Sequence, residues 1–127
     1  VESSRDFTFV SDTARGIISG LTEDKAIGET INVGSNTSYK MKYLVKEIAK
    51  IFKQKVEIKI DKKRFRPYDV QKLVCDYKKA KKILNWTPKI SIDEGLTKTV
   101  DWMQNNSPDF ATPFEGWAKI YRMNLKS

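Results

Sequence analysis

Arg64–Trp86 reads RFRPYDVQKLVCDYKKAKKILNW, and its punctuation decides how the chain is laid out. Pro67 has no backbone donor and a fixed φ, and it biases Arg66 towards an extended conformation. An arginine held that way presents a planar fork that matches a phosphate. The charged segment from Asp61 to Gln71 carries this proline and reads as a loop. Beyond it, Asp76 is placed to cap a short helix over Tyr77–Leu84, with Ala80, Ile83 and Leu84 inward, ending at Asn85-Trp86.

Working outward, Val56–Ile60 (VEIKI) alternates polar and apolar and reads as a half-buried strand. Before it lies the clearest helix, Lys40–Lys53. Met41, Leu44, Val45, Ile48, Ile51 and Phe52 form one stripe, and lysines take the other face. Glu29–Val33 (ETINV) reads as a strand stopped by the turn signature Gly34-Ser35-Asn36. Arg5–Val10 reads as a short strand. Ser11 or Asp12 then caps a helix to Leu21 whose apolar face is Ala14, Ile17, Ile18 and Leu21. On the other side, Ser91–Glu94 matches a capping box and opens a helix to about Gln104, with Ile92, Leu96, Val100 and Met103 inward. The tail after Asn105 has no sustained period. The order is β-α-β-α-β-loop-α-α, an α/β or α+β layer with helices covering a small sheet.

At 127 residues the chain has the length of one domain, and 39% hydrophobic and 11% aromatic content fit a folded one. No apolar run approaches the roughly 20 residues of a membrane span. Without a signal-peptide pattern, a cytoplasmic address is expected. The chain begins at Val1, so a fragment or a processed chain is expected. Histidine is absent and Cys75 is the single cysteine, which removes Ser-His-Asp and Cys-His catalysis, the usual zinc sites and any internal disulfide. The 24 basic and 16 acidic side chains give a net charge of +8, a lysine-rich solvated surface or a surface for an anion, either a nucleotide diphosphate or nucleic acid.

The spacing R-P-x-D-V from Arg66, D-x-x-K-A from Asp76 and L-N-W-x-P from Leu84 resembles the C-terminal segment of the extended short-chain dehydrogenase/reductases. These are the NAD-dependent nucleotide-sugar epimerases and 4,6-dehydratases. Arg5–Asp12 (RDFTFVSD) resembles the family's R-D-[FWY]-x-[YFH]-V-x-D motif. Asn32-Val-Gly34-Ser35 resembles its Y-N-[ILV]-G-[SG] strand end, with Ile31 where the tyrosine usually stands. The resemblance runs from residue 5 to about residue 103.

It implies a Rossmann-type enzyme that oxidises the sugar at C4 by hydride transfer to NAD, epimerises it or eliminates water across C5 and C6, and returns the hydride. Residues 1–105 would be its substrate-binding part and 106–127 an extension. The N-terminal NAD-binding Rossmann domain, and NAD with it, would lie outside this chain. By resemblance, Arg5 and Arg66 contact the diphosphate of a UDP-, GDP- or dTDP-hexose. Asn32 supports the nucleotide site, and Asp69 fixes the loop or contacts the ribose. A homodimer through the cofactor domain is the family habit.

No catalytic, cofactor or metal residue is expected here. None of the six glycines forms a dinucleotide-binding turn. Tyr68-x-x-x-Lys72 and Tyr77-x-x-x-Lys81 are chance matches to the family's catalytic pair in a chain so rich in lysine. Asp12 reads as a helix cap. The chain alone is expected to be inactive. Two other readings compete, a basic nucleic-acid-binding module and a non-catalytic interaction domain derived from the enzyme.

Overall fold

A computed structural model describes residues 3–59 and 70–106. Its elements, in chain order, are β1 (Ser4–Asp6), α1 (Val10–Thr22), a 3-10 turn (Asp24–Ala26), β2 (Ser38–Lys40), α2 (Met41–Ile51), α3 (Lys78–Leu84) and α4 (Ile92–Asn106). The class is α/β, as the sequence implies, but the sheet is smaller than expected. β1 pairs antiparallel with β2, Arg5 opposite Tyr39. On its other edge β1 holds residues 71–73 through Ser4 N to Gln71 O (2.8 Å) and Leu73 N to Ser4 O (3.1 Å).

Several expected boundaries move. The strand expected over Arg5–Val10 stops at Asp6, and Val10 already belongs to α1. Glu29–Val33 pairs with no strand among the described residues, whereas Ser38–Lys40 does, Lys40 having been expected to open the helix that follows. Residues 56–59 of the expected strand Val56–Ile60 are in no strand either, and Ile60 lies outside the described residues. A pleated pattern supplies a face, but a ladder needs a partner edge.

The helices follow their apolar periods more closely. α2 buries Leu44 and Ala49 and packs against α4, which buries Gly95 and Val100, while Met41 and Ile48 of the expected α2 stripe stay exposed. Ser91 Oγ accepts from Glu94 N at 3.2 Å, the forward half of the expected capping box. Asp76 Oδ1 accepts from Lys78 N at 2.8 Å and opens α3. α3 stops because Asn85 takes the left-handed conformation (φ 50°), which Asn tolerates better than most residues. Asn85 N and Trp86 N then both turn back to Ala80 O, the latter at 3.3 Å, and close the helix end. That turn drops the Trp86 ring into the core, where it is 1% exposed.

Trp86 meets the most consequential correction. Asp12 caps nothing. The N-cap of α1 is Phe9, whose carbonyl accepts from Asp12 N and Thr13 N at 3.0 and 3.1 Å. Asp12 faces inward, 2% exposed, one turn along the helix from its predicted duty. Its Oδ2 accepts from Lys89 N (2.8 Å) and Ile90 N (2.9 Å), and its Oδ1 pairs with Arg15 Nη2 (2.5 Å). Trp86 Nε1 donates to the Asp12 carbonyl at 2.9 Å, and Arg15 lies over the Trp86 ring at 5.7 Å. The Asp12 carboxylate therefore pins α1 to residues 89–90, while its backbone carbonyl and Arg15 hold Trp86 and Thr87. Consequently α1 turns Asp12 and Gly16 inward and leaves its expected core face, Ala14, Ile17, Ile18 and Leu21, exposed.

A second polar tie joins α2 to α4. Tyr39 and Tyr43 stack at 5.4 Å, and Tyr43 Oη donates to Asp93 Oδ1 at 2.7 Å. That hydrogen bond, with lesser contributions from desolvation and the Asp93 charge, pushes the Tyr43 phenol up to about 12. Because the folded value lies above the unfolded one, the tie is intact below about 10. It is lost as pH rises towards 12. A spectrophotometric titration should show one tyrosine ionising late, and Asp93→Asn should return it to the others. An unchanged late step in Asp93→Asn would contradict the assignment.

Candidate functional site

Alternation along β1 sends Arg5 and Asp6 to opposite sides of the strand. Each organises what lies there. Arg5 Nη1 donates to the carbonyls of Val70 (2.6 Å) and Ser4 (2.9 Å), mooring Val70 to β1. Asp6 accepts from four donors. Its Oδ1 takes Ser35 N (2.8 Å) and Ser35 Oγ (2.5 Å), and its Oδ2 takes Asn36 N (2.9 Å) and Cys75 N (3.0 Å). The turn can present two successive amides to it because Asn36 adopts φ 58°. Thr37 N donates to Ser35 Oγ at 3.2 Å and braces the same turn.

These bonds draw residues 34–36 against residues 73–76 and leave an open cleft of about 330 Å³. Asp6, Thr8, Asn32, Gly34, Val74 and Cys75 lie along it. That volume is at the lower end of small-molecule sites. Gly34, which the sequence marks as a turn residue, is there for closeness. A Cβ on it would meet Cys75 Sγ at 2.6 Å and Cys75 Cβ closer still. Burial foremost, then the charges of Asp6 and Asp76, push the Cys75 thiol up, so it stays protonated at neutral pH and is a poor nucleophile. The four donors on Asp6 occupy about as many positions as a carboxylate's lone pairs offer. The Cys75 thiol and the Asp6 carboxylate of the described cleft are thus held in structural contacts.

Of the residues singled out in the sequence, Asn32 lies on this cleft beside Asp6, and Arg5 lies across β1 from it. Arg66 and Asp69 lie outside the described residues. Asp6 is a site residue that the motif, read for its arginine, does not single out. Its signal was its place after Arg5 in an alternating strand, which obliges the two to serve different sides. Among the described residues, no group of three or more Cys, Asp or Glu side chains could hold a metal, and no helix is long and apolar enough to cross a membrane. Nor does the β1–α1 connection, Phe7-Thr8-Phe9, fit a dinucleotide pyrophosphate. It has no glycine to let backbone amides approach, and the Phe9 carbonyl is turned onto the helix amides.

Known proteins match this arrangement. The GDP-mannose 4,6 dehydratase family matches residues 1–99. UDP-glucuronate 4-epimerase of Thermodesulfobacterium geofontis is 40% identical over 106 residues, covering 81% of this chain and 31% of its own. The epimerase Mth375 of Methanothermobacter thermautotrophicus superposes with a TM-score of 0.77 at 28% identity, over 96% of this chain and 33% of its own. UDP-glucose 4-epimerase of Thermotoga maritima, solved with UDP-glucose, gives 0.74 at 30% identity, over 82% of this chain and 32% of its own. The chain thus spans about a third of the length of these relatives. It belongs to the GDP-mannose 4,6 dehydratase family, the NAD-dependent nucleotide-sugar epimerases and 4,6-dehydratases of the extended short-chain dehydrogenase/reductase class.

Proposed function

We propose, from that membership, that this chain is the nucleotide-sugar-binding part of an NAD-dependent sugar epimerase or 4,6-dehydratase, acting in the cytoplasm. The observation that carries the reading is the double use of β1. Asp6 shapes the cleft that Asn32 lines, while Arg5 moors the chain at Val70, where the segment bearing Arg66 and Asp69 ends. One short strand thereby serves both the cleft that Asn32 lines and the arginine assigned to the diphosphate.

In this reading Arg66 and Arg5 clamp the diphosphate with charge-assisted hydrogen bonds. Asn32 and Asp69 hold the nucleoside end. Binding energy gathered at these non-reacting groups positions the hexose for chemistry elsewhere. NAD supplies hydride acceptance and return when bound. Its site, together with the family's tyrosine and lysine, belongs to the part of the fold that this chain does not span. Residues 1–105 form the substrate part and 106–127 an extension of it. The full enzyme would be a homodimer.

Calorimetric titration of the 127-residue chain with UDP-glucuronate, UDP-glucose, dTDP-glucose and GDP-mannose tests the reading. Weak binding of at least one is expected. Arg66→Ala and Arg5→Ala should each weaken it about ten- to a hundredfold, the worth of a hydrogen bond to a charged group. Lys42→Ala, on the outer face of α2, should leave it unchanged. Uniform small losses at every lysine would instead favour a nucleic-acid surface. Turnover of these sugars with NAD by this chain alone would overturn the division of labour.

A further inference from the structure

Tyr39 stands directly opposite Arg5 in the β1–β2 ladder. Cross-strand partners in an antiparallel pair share one face of the sheet, with their Cβ atoms about 4.5–5.5 Å apart. Its strand neighbours Ser38 and Lys40 pair with Asp6 and Ser4 and belong to the other face. Tyr39 therefore lies on the Arg5 side of β1, away from the cleft that Asp6 shapes.

The ring is braced from outside the sheet. Tyr43, one helical turn on, stacks against it at 5.4 Å with 24° between the planes. Tyr43 Oη is fixed in turn by Asp93 Oδ1 at 2.7 Å, so the first turn of α4 sets the place of a side chain on β2. The two phenols differ in what they do. That of Tyr43 is spent inside the fold, whereas the Tyr39 hydroxyl makes no hydrogen bond to any described residue. Tyr39 is also only half-buried. A ring covered on one face, held still and left partly in water is a surface on which another flat ring can stack.

We infer that Tyr39 is the platform for the nucleobase of the nucleotide sugar, stacking on it while Arg5 holds the diphosphate. This rests on the binding role proposed above. The base is the one flat aromatic ring that such a ligand carries, and a single ribose separates it from the phosphates. Arg5 and Tyr39 stand on neighbouring strands about 4.8 Å apart, and their long side chains span that separation. Asn32, across β1, bears on the same end through the 34–36 turn that leads into β2. Stacking uses the face of a base and not its edge. Tyr39 thus adds affinity without choosing among uridine, thymidine and guanosine. Asp93 is a positioning residue that acts through Tyr43.

Titration calorimetry of the 127-residue chain with UDP and with inorganic pyrophosphate separates the platform from the clamp. Tyr39→Phe keeps the aromatic face and should bind UDP within about twofold of wild type. Tyr39→Leu keeps apolar bulk only. It should weaken UDP about tenfold, within the worth of one base–aromatic stack, and leave pyrophosphate unchanged. Saturation-transfer NMR of the wild-type chain with UDP-glucose should place the strongest transfer on the uracil protons. That measurement needs no variant, so it decides the matter even where Tyr39→Leu does not fold. Unchanged UDP affinity in Tyr39→Leu, equal losses of UDP and pyrophosphate, or strongest transfer on the glucose protons would each overturn the platform. Arg66→Ala reports separately on the binding role and should weaken both ligands. If it does so while Tyr39→Leu weakens neither, the clamp stands and the platform falls. A wild-type chain that binds no UDP would overturn both.

Discussion

Asp12→Ala should be the most damaging single change in the described fold. The carboxylate is buried, and its removal leaves the part-buried amides of Lys89 and Ile90 without their acceptor and takes from Arg15 one of its two partners, the other being the Thr87 carbonyl. Each buried donor left without a partner costs about 1–3 kcal/mol. A total of roughly 3–4 kcal/mol is expected, a large share of a small domain's stability. Asn at position 12 keeps the shape but replaces an acceptor with a donor, so it should recover only part. Burial alone would raise this carboxyl; the Ile90 amide, the Arg15 side chain and the Lys89 amide outweigh it and hold Asp12 below the ordinary carboxylate range. Because the folded value lies below the unfolded one, the carboxylate's contribution is complete above pH ~5 and is lost as pH falls through the folded value. Urea unfolding across that range should show wild type weakening in acid and Asp12→Ala weakening less. Parallel curves for the two proteins would refute this role.

Gly34→Ala should be nearly as costly and should also abolish the cleft. The added methyl overlaps Cys75, so either the 34–36 turn or the 73–76 segment must move. Both are tied to Asp6, and neither can shift without breaking part of its four-donor set. Overpacking of this kind costs about 1–3 kcal/mol. Lost Asp6 bonds bring the expectation to the upper end, with the proposed nucleotide-sugar binding weakened at least tenfold. The mechanism makes a sharper demand. Cys75→Gly should rescue Gly34→Ala, because it removes both clashing atoms, whereas Cys75→Ala should not, because its Cβ remains. A double-mutant cycle on thermal midpoint reads the coupling. Equal rescue by both would show that the sulfur, and not backbone closeness, sets the limit.

Much of the architecture was legible because it depends on local periods. The apolar stripe of α2, the capping serine of α4 and the Asp76-to-Asn85 span of α3 are each written within a dozen residues. The family was legible for the same reason, since its motifs are contiguous strings in a fixed order. Strand pairing was not. Glu29–Val33 and Ser38–Lys40 are both short, and alternation cannot say which of them finds an edge. Nor could the pattern reveal that the stripe of α1 points away from the described core, for a stripe says only that something covers it.

The sequence by itself determined the class of fold and the family, because helical period and motif order are properties of the string. Only the tertiary structure decided what Asp12, Asp6 and Gly34 do. Asp12 reads as a cap but serves residues 77 and 78 positions away. Asp6 gathers amides from residues 29, 30 and 69 positions away. Gly34 is small because Cys75 is beside it. Hydrogen-bond demand and excluded volume act through space, so a residue's partners become visible only when distant stretches of chain are brought together.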